Sequence, residues 1–205
     1  MGDPGARAEG LTMQQPTITI LGLSGSPRRD GNTDILVKEA LRILAEHSGA
    51  RTEFVRVADH DIKPCAGCRA CMKLGRCAIQ DDDFEELMAR FFAADLLVLG
   101  APVYWLGPPG IMKSFIDRTH GYYLDHTILR GKRAALISVA TDSGFEPHEA
   151  VMASWLEVYG AEVVSRIRVF SCEKGEVLGR PEELRKLDHL LEGVVAPSPP
   201  TERPA

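Results

Sequence analysis

Apolar residues run almost unbroken from 17 to 23 (TITILGL), from 95 to 100 (DLLVLG) and from 134 to 140 (AALISVA). Runs this short and continuous predict strands covered on both faces. Two other segments, 51–57 (RTEFVRV) and 162–170 (EVVSRIRVF), alternate charged with apolar residues, as strands at the edge of a sheet do. Between the strands the period lengthens. Leu36, Val37, Ala40, Leu41 and Leu44 recur at helical spacing, and Gly49 closes that helix. Further helices are predicted over 82–93, 111–120, 147–159 and 181–191, the last with proline at its start. Strands alternating with helices specify a parallel sheet of βαβ units. Three buried strands between two edge strands fit a five-stranded order 2-1-3-4-5 with helices on both faces. The pattern predicts one domain over 17–194, flanked by disordered tails at 1–16 and at 195–205, where proline is dense.

Composition narrows the class. The chain has 205 residues, 44% hydrophobic and 26% charged, and its net charge is −5. No basic run offers itself to a nucleic acid. The longest apolar stretch, 96–112, is interrupted by Pro102, Pro108 and Pro109 and by three glycines, so it predicts no membrane span. Residues 1–16 lack the apolar core of a secretory signal, which predicts a cytoplasmic protein whose thiols stay reduced.

In sheets of this order ligands bind beyond the carboxyl ends of the strands, beside the switch point between the first and third. The loop after the first strand, Ser24-Gly25-Ser26-Pro27-Arg28-Arg29-Asp30-Gly31-Asn32-Thr33, carries hydroxyls, arginines and glycines into a helix N-terminus. Free N–H groups and the helix dipole there suit a monophosphate; the bland alternative is a polar turn in which Asn32 or Thr33 caps the helix. It is neither a P-loop nor a dinucleotide fingerprint, because both glycine patterns are missing. After the third strand, Pro102-Val103-Tyr104-Trp105 offers aromatic walls for a flat ring, or ordinary packing. After the fourth, Thr141-Asp142-Ser143-Gly144 offers backbone N–H groups, or an ordinary turn. Three such loops on one rim point to a flat heterocycle carrying a phosphate.

These pieces resemble the flavodoxin-like NAD(P)H-dependent FMN reductases. GSPRRDGNT, APVYW and the run from Pro109 to Arg118, which matches that family's P-x-x-x-K-x-F-x-D-R helix, carry the resemblance over about residues 17–193. It implies FMN, with its phosphate on Ser26, Arg28, Asn32 and Thr33 and its ring system against 102–105 and near 141–144. TDSG holds less glycine than the family's third loop usually does.

Four of the five cysteines lie within thirteen residues, as C-x2-C-x2-C-x5-C: Cys65, Cys68, Cys71 and Cys77. Three cysteines on two-residue spacers suit a cubane, each iron taking one sulfur while the loop winds around it. Structural zinc ranks second, since it normally uses two separated knuckles; a redox disulfide ranks third and four inert thiols last. With this loop at 64–80 and Asp81-Asp82 after it, the chain resembles the iron-sulfur flavoprotein branch of the family. That resemblance implies a [4Fe–4S] cluster on the four cysteines. It also implies electron traffic between NAD(P)H or a ferredoxin-like donor and an acceptor, and a homodimer or homotetramer. Two alternatives stay open: a plain FMN or quinone reductase with a structural cysteine loop, and a non-enzymatic electron carrier.

Cys172 is assigned no role. His120 and His126 read as surface or packing residues, with proton delivery to a flavin as the alternative. Tyr122 and Tyr123 suggest a subunit interface. The acidic run 81–83 reads as a helix cap, and Arg118 as a structural anchor rather than a ligand for NADPH phosphate.

Overall fold

The computed structural model describes residues 18–195. The expected tails lie outside them, apart from Val195, which ends the last helix. Five parallel strands form one sheet: β1 (Thr19–Ser24), β2 (Arg51–Arg56), β3 (Leu96–Pro102), β4 (Arg133–Ala140) and β5 (Glu162–Phe170). Their order is β2-β1-β3-β4-β5, as the strand textures predict. β1, β3 and β4 are buried nearly throughout, whereas β2 and β5 keep exposed residues along much of their length.

Helices cover both faces because consecutive strand residues point to opposite sides. On one face Leu21, Leu23, Leu97 and Leu99 pack with α3 (Phe84–Ala93), α4 (Gly110–Arg118) and α5 (Phe145–Val158). On the other, Ile20, Val98, Ile137 and Ile167 pack with α1 (Asn32–Ser48) and the C-terminal segment. All five apolar positions read as the α1 stripe are buried, and Gly49 caps the helix.

Three expectations shift. α5 starts at Phe145, not at 147, because Gly144 adopts a left-handed φ of 89° and turns the chain two residues earlier. Pro147 then sits in the first helical turn, where a missing N–H is harmless. The single C-terminal helix resolves into α6 (Pro181–Leu184), a 3-10 turn (Arg185–Asp188) and α7 (His189–Val195). Inside the cysteine loop lies a short helix, α2 (Cys71–Leu74). Among the described residues no helix is long and apolar enough to cross a membrane.

α1 lies unusually close to the sheet. A Cβ added at Gly100 would come 2.4 Å from Val37 Cγ2 and 2.9 Å from Thr33 Cγ2. Val37 is stiff at χ1 and fully buried, so it has no room to yield. Gly100→Ala is therefore expected to lower the urea midpoint, at a cost of about 1–3 kcal/mol, and to push the N-terminus of α1 off the sheet.

Candidate functional site

The carboxyl ends of β1, β3, β4 and β5 surround a cavity of about 480 Å³. Ser26, Arg28, Asn32 and Thr33 line it from the first loop, Pro102, Val103 and Tyr104 from the third, and Val139 and Thr141 from the end of β4. A second hollow of about 700 Å³ shares Val103 and Thr141 and adds Trp105, Leu106, Asp142 and Ser143. The three loops therefore meet on one rim, beside the switch point between β1 and β3. A larger, mostly apolar hollow lies at the opposite, amino-terminal end of the strands, against Ile18, Ile20 and Leu96; the chemistry-bearing loops are all remote from it.

Four residues expected at the site stand off its walls. Ser24 is the last residue of β1 and fully buried, and its hydroxyl donates to Asp34 Oδ1 at 2.5 Å. It shapes the loop from beneath. Pro27 is exposed at the loop's crest, Gly31 is the N-cap of α1, and Gly144 is the N-cap of α5. No side chain caps α1, so neither Asn32 nor Thr33 plays that part.

Asn32 does something else. Its Nδ2 donates to the Glu173 carbonyl at 2.8 Å, and its Oδ1 accepts from the Val177 N–H at 3.3 Å. Arg28 Nη1 donates to the Cys172 carbonyl at 2.9 Å. Glu176 Oε2 in turn accepts from the N–H groups of Cys172 and Glu173, and those bonds hold its carboxyl below the usual range. The segment after β5 thus closes the end of the cleft lined by the first loop, with Ser171 and Cys172 on the wall. Sequence reasoning assigned Cys172 no role and passed over Ser171. The rule that ligands sit at strand carboxyl ends applies equally to β5 and was the signal that pointed there.

The aromatic loop is a tight turn. Tyr104 and Gly107 exchange backbone hydrogen bonds at 2.8 and 3.0 Å around Trp105 and Leu106, whose φ values are 46° and 66°. Two left-handed residues make this a turn that ordinarily takes Asn-Gly, and each bulky residue there costs about 1–3 kcal/mol. The surroundings hold it in place. Gly144 leaves room for it, since a Cβ there would lie 2.9 Å from Val103 and 3.0 Å from Leu106. His148 of α5 sits beneath, with burial pushing its imidazole below the usual histidine range against an opposing hydrogen bond to the Gly107 backbone. The result presents Trp105 fully to solvent at the mouth of the cleft.

The cysteine loop forms a separate centre. Cys65, Cys68, Cys71 and Cys77 share the walls of a hollow of about 320 Å³ with Arg118, His120 and Gly121. All are free thiols; Cys65 and Cys68 are exposed, Cys71 is half-buried and Cys77 buried. Among the described residues no three metal-ligating side chains converge tightly enough for a single ion. Arg118 is buried and donates from Nε to Cys77 Sγ at 2.9 Å, so it is an anchor, as expected. Asp82 faces it. Burial pushes that carboxyl up, but bonds from Arg118 and from the N–H groups of Lys63 and Phe84 outweigh burial and hold it down. Of the acidic run, Asp82 serves both Arg118 and the first N–H of α3, and Asp81 pairs with Lys63; Asp83, the N-cap of α3, makes no side-chain cap bond.

His120 belongs to this centre and not to the cleft, with Nδ1 3.8 Å from Cys71 Sγ. Tyr122 turns inward against Phe84 and Phe92 and donates to Glu85, while Tyr123 stays exposed. A Cβ at Gly121 would lie 2.6 Å from the Cys77 backbone nitrogen. Backbone cannot move aside as a side chain can. Gly121→Ala is expected to lift Cys77 out of its pocket, so that maleimide labels it in the metal-free, native protein, where the wild type is protected.

A parallel sheet in the order 2-1-3-4-5, with a cleft walled by three loops at its switch point, defines a flavodoxin-like fold. Comparison with known proteins takes the assignment further. The sequence profile of the NADPH-dependent FMN reductases matches residues 18–175. An iron-sulfur flavoprotein of Archaeoglobus fulgidus is 36% identical over 83% of this chain and 76% of its own length, and one of Methanosarcina thermophila is 32% identical over 71% and 76%. One of Methanocaldococcus jannaschii is 44% identical over 49% of this chain, and the match spans about half of that relative (51%). A solved NADH:FMN oxidoreductase shares the fold, with a TM-score of 0.61 at 21% identity over 90% of this chain and 93% of that one. The chain belongs to the NADPH-dependent FMN reductase family, in its iron-sulfur flavoprotein branch, and is an oxidoreductase that uses FMN.

Proposed function

We propose that the protein passes electrons between NAD(P)H or a ferredoxin-like donor and an acceptor, using FMN in the cleft and a [4Fe–4S] cluster on Cys65, Cys68, Cys71 and Cys77. The observation that carries the FMN placement is the single cavity walled by Ser26, Arg28, Asn32 and Thr33 at one end and by Pro102, Val103 and Tyr104 at the other. Its polar end lies at a helix N-terminus, where free N–H groups favour an anion. When bound, FMN supplies hydride-level and single-electron chemistry, and the cluster single-electron transfer.

The chain's own residues bind and orient. Arg28 and the hydroxyls of Ser26 and Thr33 receive the phosphate, Asn32 holds the closing segment, and Thr141, Asp142 and Ser143 approach the ring. The second hollow, open beside Trp105, leaves room for a nicotinamide or other flat reductant, which favours a reductase over a pure carrier. The four thiols line one hollow, and the two-residue spacing of the first three suits a four-cornered group better than two separated zinc knuckles. Five free cysteines suit a reducing cytoplasm, and exposed Tyr123 and Leu124 suit a homo-oligomer.

The test is the visible spectrum of anaerobically purified protein, with iron, sulfide and zinc measured on the same sample. Flavin bands over a broad, reducible absorption, with about four irons and four sulfides per chain, support the reading. Flavin bands without iron reduce it to a plain FMN reductase. Bleaching of the flavin by NADPH under argon, with no partner present, excludes a carrier that does not itself react with the nucleotide.

A further inference from the structure

Arg118 uses every donor it has. A guanidinium carries five N–H groups, and this one makes five hydrogen bonds. Nε donates to Cys77 Sγ, Nη1 to the Lys63 carbonyl at 3.0 Å and to Asp82 Oδ2, and Nη2 to the Ile79 carbonyl at 2.9 Å and to Asp82 Oδ1 at 3.2 Å. The side chain is 1% exposed and stacks over Phe84 at 4.5 Å. Nothing is left over for a nucleotide phosphate. What it grips is informative: Lys63 precedes the cysteine loop, Ile79 follows the last cysteine, and Cys77 is the one buried thiol of the four. Asp82, fully buried as a side chain, balances the charge.

We propose that Arg118 is the positioning residue of the cysteine centre. It pins both necks of the loop and gives the Cys77 sulfur a charged hydrogen bond, making Cys77 the anchored corner and raising the centre's reduction potential. The electrostatic half rests on the cluster reading above; the clamp half does not. Hydrogen bonds to ligand sulfurs and nearby positive charge both favour the reduced, more negative state of an iron–sulfur centre. Asp82 opposes that charge, so its removal must act in the opposite sense. Lysine keeps the charge but lacks the planar fork that reaches three partners at once.

The experiment compares Arg118→Gln, Arg118→Lys and Asp82→Asn with wild type, as FMN-replete protein, by EPR-monitored redox titration. Arg118→Gln is expected to disfavour cluster reduction about tenfold, a fall of roughly 59 mV for one electron. Arg118→Lys recovers much of that shift, and Asp82→Asn moves the potential upward. Limited trypsin digestion of the metal-free chains reads the clamp separately, through the exposed sites Arg69, Lys73 and Arg76. Both Arg118 variants are expected to be cut there faster than wild type. Wild-type potentials together with wild-type cleavage rates in folded variants overturn the proposal. A wild type without iron overturns the cluster reading and the potential-raising half with it; cleavage rates then still decide the clamp. If the Arg118 variants fail to fold, an Asp82→Asn potential that stays put or falls overturns the electrostatic half.

Discussion

Replacing Asp34 by alanine is expected to cost about 3–5 kcal/mol of stability. Its carboxylate is completely buried beneath the loop that follows β1. It accepts from the Ser24 hydroxyl, from the Asp30 N–H at 2.8 Å and from Arg56 Nε at 2.8 Å. Arg56 is itself only 5% exposed and reaches on to the Ser26 and Pro27 carbonyls and to Asp59. Alanine would leave a buried guanidinium with one carboxylate where it had two, and a buried hydroxyl without its acceptor. Asp59 survives to share the charge, which places the loss toward the lower end of the range. Urea unfolding measures it, and a loss below about 1 kcal/mol contradicts the account. Because the Arg56 that Asp34 holds through Nε donates from Nη2 to the loop's carbonyls, flavin affinity should fall with stability.

Arg28→Ala is expected to do the reverse: to leave stability nearly unchanged and to weaken FMN binding by about ten- to a hundredfold. Arg28 is exposed, so the fold does not depend on its burial. In the proposed placement it gives the phosphate a charged hydrogen bond worth about 1.5–3 kcal/mol, where 1.4 kcal/mol is tenfold in affinity. It also ties the Cys172 carbonyl to the rim, so removing it loosens the segment that closes the cleft. Flavin fluorescence titration at two salt concentrations reads both. Arg28→Lys should retain part of the affinity, because a lysine remains a point charge without the fork. Unchanged affinity in Arg28→Ala removes the phosphate assignment.

The two changes mark where a sequence is readable. Strand texture reports whether one face or both are covered, a local property. The continuous runs therefore announced β1, β3 and β4 as central and the alternating ones announced β2 and β5 as edges. Loop chemistry at the ends of β1 and β3 was legible for the same reason. Ser24 was misplaced because a serine after an apolar run looks like the first loop residue. Its pairing with Gly100 keeps it in the strand, and Asp34 takes its hydroxyl. The Asp34–Arg56 pair spans 22 positions and the Arg28–Cys172 bond 144, and no periodicity records a contact of that kind. The break in the C-terminal helix was hidden by a Pro181 start that promised regular helix beyond it.

The cysteine loop enters and leaves through one closed gate. Asp61 and Asp83 exchange backbone and side-chain bonds, Lys63 meets Asp82, and Arg118 bolts the two sides together. The lining of the cysteine hollow shares no residue with that of the cleft. Lengthening such an enclosed segment twofold costs only about 0.6 kcal/mol in closure entropy. The fold can therefore exchange this segment for one of different length or ligand content while the cleft keeps its shape.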